Sequence, residues 1–254
     1  MGTVSSLALG PVQGTPLARI NPVAQLSAIA VVTLVLLTTV DVVTAAVVVA
    51  AELCLLPAAG LTSPRDVGRR TWPLLLGAAS VGLVNVLLSA DRDPLVGAGL
   101  ALRVVGLALP GVLLVAGTDP VRLADALTIH WRVPTRFAYG ALAALRLVPL
   151  LVGEFESVRL ARRARGVEGR TPTARVRLFA GIVFALLVGA VRRGSRLATA
   201  MDARGFDSGI PRTNARGSVL RRRDLLFVAA TVAVCAAAVA LSVLTGAWHP
   251  SFTG

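Results

Sequence analysis

The sequence predicts an all-α, polytopic membrane protein with about five transmembrane helices and a V of two long helices at one membrane face. Two observations carry this prediction. Hydrophobic residues make up 55% of the chain and the mean hydropathy is +0.76. Several apolar runs approach the ~20 residues that an α-helix needs to cross about 30 Å of hydrocarbon. The charges are also unevenly placed: residues 117–223 hold 20 of the 26 arginines.

Four parts follow from these patterns: an N-terminal tail and lead-in (1–22), four transmembrane helices (23–116), a basic region (117–223), and a final transmembrane helix with a C-terminal tail (224–254). Residues 1–14 read as a flexible tail without the basic start of a signal peptide. Pro16 and Pro22 favour an extended lead-in. The first span is expected over Val23 to Val40, with Asp41 at a short turn. A second run, Val42 to Leu56, stops at Pro57. The stretch from Pro57 to Thr71 reads as a loop carrying Arg65, Arg69 and Arg70 against Asp66. A third span covers Trp72 to Leu88, and Asp91 to Pro94 form a short acidic connection. The fourth span, Leu95 to Ala116, contains Arg103, which either faces a helix interface or snorkels, unless it serves a function inside the membrane. The last span runs from Leu225 to Leu244, preceded by Arg221, Arg222 and Arg223. Placing the basic connections inside puts the N-terminus and the 117–223 region in the cytoplasm and the C-terminus outside.

Within the basic region, Phe137 to Val152 and Leu178 to Val191 are apolar but short, and arginines crowd their ends. They read as helices lying along the membrane face, with short spans as the other reading. Pro134 suits a helix start, Pro149 should kink that helix, and Thr171-Pro172 starts the next one. Gly166 to Arg170 form a polar elbow between them.

Both helices should end at a glycine that follows an arginine: Ala164-Arg165-Gly166 and Ala203-Arg204-Gly205. Glycine tolerates the left-handed backbone of a helix C-cap, and a cation is favoured in the last turn. Ala161 and Ala200 lie one turn earlier on the same face, and Val158 and Leu197 two turns earlier. A slim face ending in a guanidinium can enter a groove and pair with a carboxylate. Ordinary basic capping of a solvated helix end explains one copy. Two copies in matching context, 39 residues apart, suggest docking. Ala215-Arg216-Gly217 lies outside any helical pattern and reads as accidental.

Composition excludes several functions. All 26 basic residues are arginine, so there is no phosphate-binding loop lysine and no Schiff-base lysine. ATP, if it drives this protein, is bound by another chain. No Cys/His cluster has metal-ligand spacing, so no metal or cofactor is expected. Cys54 and Cys235 read as small buried apolar residues. The basic region carries almost no aromatics for base stacking, so nucleic acid is not expected. A membrane enzyme would need grouped acids or histidines. Here His130 and His249 are far apart, and Glu154 and Glu156 point to different faces. A stand-alone permease, or a membrane protein whose basic face meets lipid, is the other reading.

The chain resembles the transmembrane T component of energy-coupling factor (ECF) transporters, a cobalt-permease-like family. The resemblance covers about residues 15 to 245. It rests on the lead-in Pro16-Leu17-Ala18-Arg19-Ile20-Asn21-Pro22, on the segment from Leu127 to Ala138, on Arg146, Pro149 and Glu154, and most specifically on Ala200-Met201-Asp202-Ala203-Arg204-Gly205-Phe206. The resemblance implies a non-catalytic scaffold of an ABC-type importer. Its partners would be two ABC ATPase subunits and a small membrane S component, with membrane lipid around them. Ala164, Arg165, Gly166, Ala203, Arg204 and Gly205 would dock the ATPases, and Pro149 would kink the first coupling helix. The apolar faces of 137–152 and 178–191 would grip the S component, whose cargo would be a vitamin or a transition metal such as cobalt.

Overall fold

A computed structural model describes residues 15–88, 93–167, 171–206 and 217–246. Among these residues there are eight α-helices and no strand: α1 (Pro22–Thr38), α2 (Val42–Leu55), α3 (Pro64–Leu88), α4 (Pro94–Gly117), α5 (Pro120–His130), α6 (Thr135–Ala164), α7 (Pro172–Ala203) and α8 (Arg222–Leu244). Two compact units are present. One contains α1 to α4, the start of α5, and α8; the other runs from Leu127 through α6 and α7.

In the first unit, side-chain caps set the helix starts. Asn21 accepts from the Val23 amide, Asp41 from Thr44 at 2.7 Å, and Asp93 from Leu95 at 2.8 Å. Each satisfies an amide that a helix N-terminus leaves open. Among the described residues, six helices are apolar and long enough to cross a membrane: α2 with the 3₁₀ turn after it, α3, α4, α6, α7 and α8. At 17 residues, α1 is shorter, about 26 Å along its axis. It corresponds to the first expected span.

Three local expectations are corrected. The stretch before Thr71 is not all loop, because α3 begins at Pro64. Its polar first turns carry no apolar period, but Arg65, Arg69 and Arg70 are exposed and need none. The lead-in contains a 3₁₀ turn, Leu17–Arg19, rather than being wholly extended. Cys54 is exposed, whereas Cys235 is buried as expected.

The first unit is packed around α4, which meets α1, α2 and α3, while α8 lies on α1 and α2. One apolar cluster joins Leu17, Leu56, Leu61, Leu109 and Leu113. A second joins Val32, Leu36, Val48, Cys235 and Ala238. The α3 and α4 backbones touch at Gly82 and Gly97, where a Cβ on either would lie 2.8 Å from the opposite carbonyl oxygen. Such contacts are the main source of packing between membrane helices, where lipid is as apolar as leucine. Arg103 donates to the Leu37 carbonyl at 2.9 Å, in the last turn of α1. It therefore serves a helix interface, where the negative end of the α1 dipole favours it.

The longest-range tie joins the starts of α1 and α8. Asp224 is 1% exposed. One of its carboxylate oxygens accepts from the Asn21 amide at 2.7 Å and the other from the Arg221 amide at 2.7 Å. The Asn21 side chain returns a hydrogen bond to Ser218 at 2.9 Å. Because the N-terminal ends are tied and the helices pack together, α1 and α8 run parallel. Replacing Asp224 by Ala strands one buried and one partly buried amide and removes two charge-assisted bonds. We expect a loss of about 2–4 kcal/mol in unfolding free energy, read as a lower denaturant midpoint in detergent micelles; an unchanged midpoint would show that the tie is dispensable.

Candidate partner-docking site

The second unit is built from α6 and α7, which pack antiparallel. Thr171 caps α7 by accepting from the Ala174 amide at 3.2 Å, with Pro172 at the first helical position. α6 starts at Thr135 after Pro134 and continues through Pro149 to Ala164 as one 30-residue helix. Phe155 and Phe179 meet edge to face with centroids 5.9 Å apart. The Arg162 guanidinium donates to the Leu178 carbonyl at 3.0 Å and lies over Gly181, where a Cβ would crowd it at 3.3 Å. Glu154 and Arg193 form an ion pair.

The two arginine-bearing ends have the same backbone. α6 closes with Arg165 at the C-cap and Gly166 at φ +70°; α7 closes with Arg204 at the C-cap and Gly205 at φ +70°. In the first, the Gly166 amide donates to Arg163 at 2.9 Å and Val167 to Arg162 at 3.0 Å. In the second, Gly205 donates to Asp202 at 2.9 Å and Phe206 to Met201 at 3.1 Å. This double closure satisfies carbonyls that the helix end would leave open, and it requires the left-handed residue that glycine supplies. Arg165 and Arg204 are exposed, as are Ala164, Ala203, Ala161 and Ala200. The helix ends expected from the two glycines are thus present in the structure.

The structure does not bring the two arginines together. α7 has 32 residues, about 48 Å of helix. The six residue steps from Arg165 to Thr171 span at most about 21 Å, so the tips stand well over 20 Å apart. Pro149 lies in mid-helix, away from both tips. Of the elbow, Glu168 to Arg170 fall outside the described residues, as do Ala215 and Arg216 of the third tripeptide and the acidic connection at Asp91 and Arg92.

Sequence reasoning missed three features. Beside the first tip, Arg159, Arg162, Arg163 and Arg175 line a cleft of about 560 Å³ with Phe155 and Phe179. Three of these arginines lie on α6 and Arg175 lies on α7, and only the pairing of the two helices unites them. The helix α5 was not anticipated; it ends with Val133 donating to the Leu127 carbonyl at 3.3 Å and Arg132 at φ +53°. Arg132 thus holds a left-handed position without glycine, a conformation that costs an L-residue roughly 1–2 kcal/mol. The Glu154–Arg193 pair could be read only once the helix register was known.

The fold defines a multi-span, all-helical membrane protein whose second unit presents two equivalent arginine-capped helix ends. The model of the CbiQ family, described as cobalt transport protein, matches residues 13–214, and the chain belongs to that family. Among curated proteins, the energy-coupling factor transporter transmembrane protein EcfT of Limosilactobacillus fermentum is 36% identical over 52% of this chain and 53% of its own length. The protein of the same name from Bacillus subtilis is 29% identical over 54% of this chain and 55% of its own. A Bifidobacterium longum protein named as an ABC transporter ATP-binding protein is 28% identical over 76% of this chain but only 27% of its own length. The chain therefore spans about half the length of the EcfT relatives and about a quarter of the third.

The Glu154–Arg193 pair generates a charge-swap test. Its two side chains are 39% and 36% exposed, so solvent screens the attraction. Reversing either charge alone is expected to destabilise the α6–α7 pair by about 0.5–1 kcal/mol, and Glu154→Arg with Arg193→Glu together should recover most of it. Thermal unfolding of the four chains measures this; no recovery in the double variant would mean that the pair does not couple the helices.

Proposed function

We propose that this chain is the non-catalytic transmembrane scaffold of an ECF-type ABC importer, which passes the motion of separate ATPase subunits to a small substrate-binding S component that delivers a vitamin or transition-metal ion. The observation that carries the reading is the repeated arginine tip: one capped geometry, built twice, at the ends of two long helices. Two equivalent tips suit two equivalent partner grooves. The rigid α7 rod between them suits a pair of ATPases bound side by side. Arg165 and Arg204 would each pair with a carboxylate in a groove. Ala164 and Ala203 would keep the helix end slim, and Gly166 and Gly205 would turn the chain away. Pro149, which removes one backbone hydrogen bond from α6, would serve as its kink.

The domain roles follow. Residues 23–116 and 224–254 would anchor the protein, and residues 117–223 would form the coupling region, with residues 1–22 leading into α1. The exposed apolar faces of α6 and α7, including Phe137, Leu145, Phe184 and Leu187, would meet the S component and membrane lipid. The absence of lysine fits ATP binding on other chains. The relative named as an ATP-binding protein carries a segment similar to this chain within about a quarter of its length, which fits association with ATP-binding parts.

The reading also implies a membrane topology. α1 and α8 run parallel, so an even number of crossings separates their starts. α1 to α4 make four. α6 and α7 then both cross or both stay at the surface. If both crossed, the two tips would face opposite sides of the membrane. Equivalent tips with one kind of partner require the surface arrangement, with the basic region in the cytoplasm.

The docking claim is tested by Arg165→Glu with Arg204→Glu. Both sites are exposed helix ends, so the chain should still fold, with only the small loss of about 0.3–1 kcal/mol per site expected from a reversed charge at a helix C-terminus, while co-purification with ABC ATPases from native membranes should fall at least about tenfold. Undiminished co-purification would remove the docking role. The topology is tested separately by a tag after Gly254. It should be reached by an impermeant reagent in intact cells; reaction only after permeabilisation would place that end inside.

A further inference from the structure

A cavity of about 210 Å³ lies among α1, α2, α4 and α8 of the first unit. Its wall is mostly apolar and includes Ile29, Val32, Val48, Leu113, Phe227 and Val234. Glu52 of α2 also lines it. This residue is 5% exposed, and neither carboxyl oxygen has a hydrogen-bond partner. Other polar side chains in the wall are committed elsewhere. Gln25 donates to the Leu17 and Ile20 carbonyls and accepts from the Thr118 hydroxyl at 2.8 Å. The Thr231 hydroxyl donates to the Phe227 carbonyl at 3.0 Å. The Cys235 thiol, also in the wall, is only a weak donor.

A buried acid with both oxygens open is expensive, and intramembrane acids mark ligand or ion paths. The missing partner must bring a hydrogen-bond donor, and a positive one gains most at low dielectric. A metal ion suits the site poorly. Hard cations take six or more oxygen ligands, and no group of three His, Cys, Asp or Glu that could hold a metal occurs among the described residues. The apolar wall suits an organic body. The volume lies below the ~300 Å³ at the small end of drug-sized sites, so that body is small.

We propose that this cavity is a binding site for a small organic ammonium ion, whose N–H group pairs with Glu52 while its apolar body fills the space between α1, α2, α4 and α8. No tip residue takes part, so the site is independent of the docking reading. The ammonium can come from a free amine or from an ethanolamine lipid headgroup.

Hexylammonium is the probe and hexanol its uncharged counterpart, added to the full chain in phosphatidylcholine nanodiscs. Hexylammonium should raise the unfolding midpoint saturably. Its apparent affinity should weaken at least about tenfold in Glu52→Gln, and hexanol should give no saturable shift. The absence of a saturable shift, an equal response in Glu52→Gln, or an equal effect of hexanol would each overturn the proposal. Should Glu52→Gln fail to fold, Ala230→Leu decides. It keeps the carboxylate and fills space at an exposed position in the wall, so hexylammonium should weaken to the same degree; undiminished affinity overturns the site. Phosphatidylethanolamine added to the nanodiscs separates the two sources. Competition with hexylammonium assigns the site to the lipid headgroup, and indifference assigns it to a free amine.

Discussion

The arrangement of the membrane unit depends on one carboxylate. Asp224 closes its own helix start by accepting from Arg221, and with its other oxygen it closes the start of α1, 203 residues earlier. Away from water, a backbone amide without an acceptor is costly, and a carboxylate without donors is costlier still. Each group answers the other's need. The geometry then follows: two helix starts that share one acceptor, on helices that pack along their length, lie side by side and point the same way. The packing of α8 on α1 and α2 is set at its start by that shared acceptor.

Much of this architecture was legible in the sequence because membrane helices announce themselves by length and apolarity. The spans before residue 117 and after 223 coincide with α1 to α4 and α8 to within a few residues, except at α3. There Pro64 starts a helix whose first turns are polar, and polarity was mistaken for a loop. The helix ends at Gly166 and Gly205 were also legible, since a positive φ after a basic helical turn leaves glycine as the natural choice. Long-range polar contacts were not legible. Nothing in the local sequence pairs Asn21 with Asp224, Arg103 with Leu37, or Glu154 with Arg193. Nor does it show that Glu52, one acid in an apolar run, lines a cavity.

The two units solve different problems with the same residue types. In the membrane unit, Asp224 is tied to backbone amides and Arg103 to a backbone carbonyl, while Glu52 faces the cavity with both oxygens open. In the α6–α7 unit, arginines stand exposed in numbers, and the large apolar side chains beside them are exposed as well. A surface that is both strongly basic and strongly apolar suits neither water nor hydrocarbon alone. Such a surface suits the boundary where acyl chains give way to headgroups.

The backbone contact at Gly82 and Gly97 bears on biogenesis. α3 and α4 need no other helix to make it, because both glycines belong to one antiparallel pair. The hairpin can therefore leave the insertion machinery as a closed unit, its close approach already made, before α8 has been synthesised. A larger side chain at either glycine would force the two backbones apart at that step, before α8 is available to complete the packing of the unit. The defect would show first as a shortfall in membrane-integrated protein rather than as a loss of transport by the protein that remains.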